Sequence, residues 1–224
     1  MDSTVRILTF SGAHCTGKTT LVEAVHAALI ARHGGPVAEI VPSISSAVFE
    51  RVRARVLTFR TGAVPTTFDE IDEMGLRQEF QLMLASQLLD SVLSVWDILA
   101  GRGGFLIVDR WFPDILAYSR QLSGPADQFE VQSACHAARM RMTSRLQLRL
   151  DSTDMTHFVL RVEDSHFPGA DQEGKFRAST SREDFERHLL DGWSLVEHVR
   201  SPTVIPFTDL HQRVDFVLSH FPMT

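Results

Sequence analysis

Hydrophobic and polar positions alternate between two periods along the chain. Short apolar runs read as buried strands: "VRILTF" (5–10), "PVAEIV" (36–41), "GFLIVD" (104–109), "THFVLRV" (156–162) and "PTVIPF" (202–207). Between them lie stretches with apolar residues three and four apart, the period of an amphipathic helix. In 18–33, Leu21, Val25, Ala28 and Leu29 share one face, and Gly34 stands where a C-terminal cap belongs. Residues 43–57 open on serines suited to capping, and 76–103 is the longest helical pattern, closed by Gly101 and Gly103. Further helices are predicted at 112–122, 126–146, 182–200 and 209–221. Residues 61–75, with Gly62, Pro65 and four acids, read as a loop. So do the polar, glycine-containing residues 163–181.

Five apolar strands separated by helices predict an α/β fold: a five-stranded parallel sheet with helices on both faces. No repeat, low-complexity tract or interdomain linker divides 1–224, so one domain is expected. Ligands of such sheets bind beyond the C-terminal strand ends, which is where chemistry is sought.

The first such position reads "SGAHCTGKTT" (11–20). Gly12, four residues, then Gly17-Lys18-Thr19 fits G-x-x-x-x-G-K-[ST], between a strand and a helix as the motif demands. Gly12 and Gly17 let the backbone approach an oxyanion closely. Amides through Ala13, His14, Cys15, Thr16, Gly17, Lys18, Thr19 and Thr20 face the phosphates of ATP at a helix N-terminus. Lys18 reaches between the β- and γ-phosphates, and the Thr19 hydroxyl suits Mg²⁺. Cys15 is either a redox-sensitive thiol or an ordinary loop position.

The second position is "VDRW". Asp109 ends an apolar strand, where an acid holds the metal's water shell, and Arg110 adds a cation aimed at a transferred or accepting phosphate. The polar segment 163–182 holds Lys175, Arg177 and Arg182, with Arg187 just beyond, and reads as a loop or a mobile lid; as a lid over phosphates, its candidate catalytic cations are Arg177 and Arg182. The histidines show no metal-ligand spacing.

"SGAHCTGKTT" together with "VDRWFPDILAYS" resembles the thymidylate kinase and deoxynucleoside kinase group of phosphate-loop kinases. The resemblance implies ATP and Mg²⁺ as cofactors, Asp109 on the magnesium side and Arg110 beside the acceptor. It implies that Glu39, at the end of the second strand, is base for an acceptor hydroxyl. It implies that "RQEFQLMLASQ" (77–87) presents Phe80 and Gln81 to a base, although Phe80 on an amphipathic helix is equally a core residue. Arg77, one turn earlier, either binds an acceptor phosphate or is solvated. Adenine is expected near Pro206 to Thr208. Dimerisation is common in the group, and the apolar length of 76–100 permits it.

The function expected is therefore phosphoryl transfer from ATP to a nucleoside or nucleoside monophosphate. Two alternatives stay open: a kinase of another small molecule (a metabolite, an antibiotic or a modified base), and a regulatory ATPase that passes phosphate to water. The net charge of −6 weighs against a nucleic-acid partner. No uninterrupted apolar run approaches the roughly 20 residues of a membrane span. Two cysteines, no signal-peptide pattern and 44% hydrophobic content suggest a cytoplasmic, reducing setting.

Overall fold

Strand β1 (Val5–Gly12) shows how the period of two builds the molecule. Val5 and Ile7 face one apolar cluster, and Leu8 and Phe10 face another on the opposite side of the sheet. The same split recurs in β3 (Gly104–Asp109), where Leu106 and Val108 go one way and Phe105 and Ile107 the other. A strand with apolar residues on both faces must be covered on both, which is the condition of a parallel α/β sheet. In the computed structural model, which describes residues 4–13, 16–33, 37–59, 64–120, 124–146, 155–161, 182–196, 201–206 and 209–221, the sheet has five parallel strands. Their order is β2-β3-β1-β4-β5, with β2 at Ala38–Val41, β4 at Met155–Leu160 and β5 at Thr203–Ile205.

Helices α1 (Lys18–His33) and α8 (Leu210–Ser219) cover one face. The other carries α2 (Ser45–Phe59), α4 (Arg77–Leu99), α5 (Phe112–Ser119), α6 (Pro125–Leu146) and α7 (Arg182–Val196). By length and apolarity α4 could cross a bilayer, but here Phe80, Leu84, Leu88 and Val92 are buried in the core. Gly192 of α7 lets that helix lie against α5: a Cβ there would meet the Pro113 backbone at 3.3 Å.

The structure corrects several sequence-based boundaries. The stretch 61–75 is not all loop: α3 (Phe68–Glu73) forms within it. Its cause is a capping box, in which Glu70 N–H donates to Thr67 Oγ1 at 3.3 Å and the Glu70 carboxylate accepts from the Thr67 N–H. Strand β1 runs on to Gly12, so the phosphate-loop motif begins inside the sheet. Strand β4 ends at Leu160 rather than 162.

Candidate active site

Gly12 and Gly17 adopt φ of 149° and 78°, conformations that side chains resist. A Cβ on Gly12 would also come within 2.8 Å of the Leu160 carbonyl oxygen on the neighbouring strand. The buried Lys18 ammonium donates to the carbonyls of Gly12 (2.8 Å) and Ala13 and to Thr16 Oγ1 (3.3 Å). Ala13 and Thr16 are buried, while Gly17, Thr19 and Thr20 are exposed at the mouth. His14 and Cys15 lie outside the described residues. One partner of this loop comes from far away: buried Arg213, in the first turn of α8, donates Nη1 to the Thr16 carbonyl at 2.8 Å. Burial pushes its pKa down, and Asp209 partly opposes this.

The pairing of Phe10 with Asp109 in the β1–β3 register sets the end of β3 beside the loop. Thr19 Oγ1 donates to Asp109 Oδ2 at 2.7 Å. Asp109 is 2% exposed, and its second oxygen, Oδ1, has no hydrogen-bond partner among the described residues. A buried carboxylate with one bare oxygen beside a threonine hydroxyl fits a hard, oxygen-seeking cation such as Mg²⁺. No group of three or more His, Cys, Asp or Glu that could hold a metal exists among the described residues. A cation here would thus draw its remaining ligands from phosphates and water.

Arg110 follows with φ of 83°, the one non-glycine residue at positive φ among those described. Its N–H donates to the Phe10 carbonyl at 2.9 Å, which fixes the chain as it leaves the sheet. The guanidinium lies 5.7 Å from the Tyr118 ring centre and 3.8 Å from Asp114 Oδ1. Burial works against its charge, but Tyr118, Asp114 and Asp109 outweigh that and raise its pKa. Asp114 belongs to neither of the two sequence motifs, the phosphate loop and "VDRW". It is buried in the first turn of α5 and accepts from the Trp111 N–H (3.0 Å) and the Gly12 N–H (3.3 Å), tying the motif after β3 to the loop after β1. The signal available was an acid three residues into a predicted helix.

Next to these groups opens a cavity of about 250 Å³, lined by Thr19, Asp109, Arg110 and Asp114 at one end. Phe68, Phe80 and Trp111 supply aromatic wall, and Ser43, Ser45 and Ser46 a hydroxylated edge. Phe80 is both things at once: 1% exposed in the core, and part of the wall. Gln81 is equally buried and lines the cavity, and its Oε1 has no partner among the described residues.

Two expected acceptor residues lie elsewhere. Glu39 is the second residue of β2, not its last, and its carboxylate pairs at 2.9 Å with Arg102, in the turn that enters β3. Its register partner is Leu106, three residues before Asp109, so it stands about 10 Å back along the strands from the site. It cannot serve there as base. Arg77 is ion-paired with Asp72 and is not part of the cavity wall. Of the lid, Lys175 and Arg177 lie outside the described residues, and Arg182 begins α7 with its side chain undescribed. Pro206 is exposed, and 207–208 lie outside the described residues.

Comparison with known proteins agrees with this architecture. The thymidylate kinase of Ehrlichia chaffeensis superposes with a TM-score of 0.53 at 16% identity, over 96% of this chain and 99% of that one. The thymidylate kinase of Candida albicans gives 0.53 at 13% identity, over 96% and 90%. A NadR structure in complex with NAD and AMP-PNP gives 0.60 at 14% identity, over 98% and 50%, and one in complex with NR gives 0.59 at 14%, over 98% and 52%. The chain thus spans about half the length of NadR. No curated protein matches it in sequence. At these identities the likeness shows the fold, which is that of a phosphate-loop nucleotide kinase. The model of the AAA domain family matches residues 7–213, nearly the whole described sheet and its helices, and the chain belongs to that family.

Proposed function

We propose that this protein is an ATP- and Mg²⁺-dependent phosphotransferase acting on a nucleoside or nucleoside monophosphate. The observation that carries the reading is the Thr19–Asp109 hydrogen bond. It joins the phosphate loop to a separate, partly aromatic cavity, so donor and acceptor sites share one wall. A protein that passes phosphate only to water has no need of that cavity. Support comes also from the fold it shares with two thymidylate kinases and with NadR, seen with AMP-PNP and with NR.

In this reading the loop amides and Lys18 hold the β- and γ-phosphates of ATP, exchanging the Gly12 and Ala13 carbonyls for phosphate oxygens. Mg²⁺ beside Thr19 and Asp109 neutralises charge on the triphosphate. Arg110, held by Tyr118 and Asp114, stands at the acceptor end. Phe80 contacts a planar base, and the bare Gln81 Oε1 accepts a hydrogen bond from it. Transfer then needs positioning and charge compensation more than covalent help. A homodimer through the outer side of α4, where Ile98 is exposed, and a cytoplasmic setting complete the reading.

The test is an ATP-consumption screen against nucleosides, nucleoside monophosphates and simple metabolites. Turnover with a metabolite alone would favour the small-molecule alternative. Tight ATP binding with slow hydrolysis and no acceptor would favour the regulatory ATPase.

A further inference from the structure

Resting on the phosphotransferase reading, we infer that the acceptor is electrically neutral where it receives phosphate: a hydroxyl compound, not a phosphate monoester. The charged groups lining the cavity among the described residues are Asp109, Asp114 and Arg110, two carboxylates against one guanidinium. That guanidinium is already held by Asp114 and stacked on Tyr118. Arg77, the cation that could have added to it, is spent on Asp72 outside the wall. The remaining polar wall is uncharged: the hydroxyls of Thr19, Ser43, Ser45, Ser46 and Tyr118, and the Gln81 amide with its bare Oε1. Lys18 and the loop amides face the donor. Once Mg²⁺ occupies Asp109 and Arg110 is taken up by Asp114, the acceptor end keeps, among the described residues, no cation in excess to meet the about 1.5 to 2 negative charges of a phosphate monoester. A neutral polyol meets hydroxyl partners in Ser43, Ser45 and Ser46.

The step balances without further reactants. The acceptor hydroxyl oxygen forms a bond to the γ-phosphorus of the nucleoside triphosphate. The bond from that phosphorus to the β–γ bridging oxygen breaks, and the diphosphate leaves with the electron pair. The hydroxyl proton passes to an oxygen of the transferred phosphoryl group and from there to solvent.

The experiment measures kcat/KM of the full chain with Mg-ATP on matched pairs, each nucleoside against its own 5′-monophosphate. The nucleoside should be preferred at least 100-fold in the pair that turns over. Ser46→Arg, which adds a cation at the cavity edge, should narrow that preference about tenfold. Equal or better use of the monophosphate would overturn the inference while leaving the kinase reading standing. If neither member of any pair turns over although Mg-AMP-PNP binds, the kinase reading itself fails. Calorimetric titration of each pair into the AMP-PNP-loaded protein then decides the inference alone: tighter nucleoside binding sustains it, and tighter monophosphate binding refutes it.

Discussion

Arg213→Met isolates what the last helix does for the phosphate loop. Methionine keeps the length and apolar stem of the side chain but removes the donor to the Thr16 carbonyl, a 2.8 Å bond made by a charged group inside the protein. Thr16 is 1% exposed, so water does not readily replace the lost partner. Deleting a charge-assisted bond of this kind costs about 1.5–3 kcal/mol. The loop also loses a buried positive charge beside the site where a triphosphate would lie. If the cost falls on the loop's binding conformation, Mg-AMP-PNP affinity drops roughly 10- to 100-fold. Inorganic tripolyphosphate, which probes the loop without a base, should weaken in parallel. Calorimetric titration of both ligands measures this, and Arg213→Lys, which restores the charge without the planar fork, should recover part of the loss. Affinities unchanged within twofold, with an unchanged Tm, would refute the idea that α8 organises the loop. A fall in Tm with ligand affinities intact would reduce Arg213 to a packing residue.

Other substitutions separate function from stability. Lys18→Ala should nearly abolish phosphoryl transfer in a coupled ATP assay, and full activity would sink the phosphate-loop assignment. Asp109→Asn keeps an acceptor for Thr19 and removes a buried, half-partnered charge, so the ligand-free Tm should hold or rise while Mg-dependent turnover falls ~100-fold or more. Gly104→Ala would force a Cβ into the Val37 carbonyl at a φ of 126°, costing about 1–3 kcal/mol and roughly 2–4 °C of Tm per kcal/mol. Burial raises the Cys135 thiol pKa well above its ordinary range, so the folded protein keeps it neutral while the unfolded chain ionises near pH 8.5. Its contribution to stability is whole below that pH and is lost as pH rises through the alkaline range. Thiol reagent titration should find Cys135 unreactive until the protein unfolds.

What was legible in the sequence was local. Strand, glycine loop and helix at 5–33 follow one another directly, so their spacing alone carries the phosphate loop. Asp109-Arg110 is legible because an acid ending an apolar strand stands out against the run before it. The cavity is different, for its polar groups converge through tertiary packing. Asp114 reaches Gly12 across 102 residues and Arg213 reaches Thr16 across 197, and no periodicity encodes either contact. Glu39 was misplaced because apolar patterning marks a strand without fixing which end of the sheet its neighbours occupy; two residues of register separate it from the strand end. Helix α3 was readable in principle, since Thr67 and Glu70 have capping-box spacing, but the surrounding threonines, acids, Gly62 and Pro65 masked it.

The strand order has a consequence for how the protein comes to exist. Central strand β1 is synthesised first, yet its partners are β3, about 100 residues later, and β4, about 150 later. A nascent chain that has reached residue 110 can pair β1 on one side only, leaving the edge from Ile7 to Gly12, which β4 later covers, open to other chains. Contacts so distant in sequence make for slow folding. Truncations before β4 should therefore aggregate rather than form a smaller domain, and yield of the intact chain should depend on temperature and chaperone supply during synthesis.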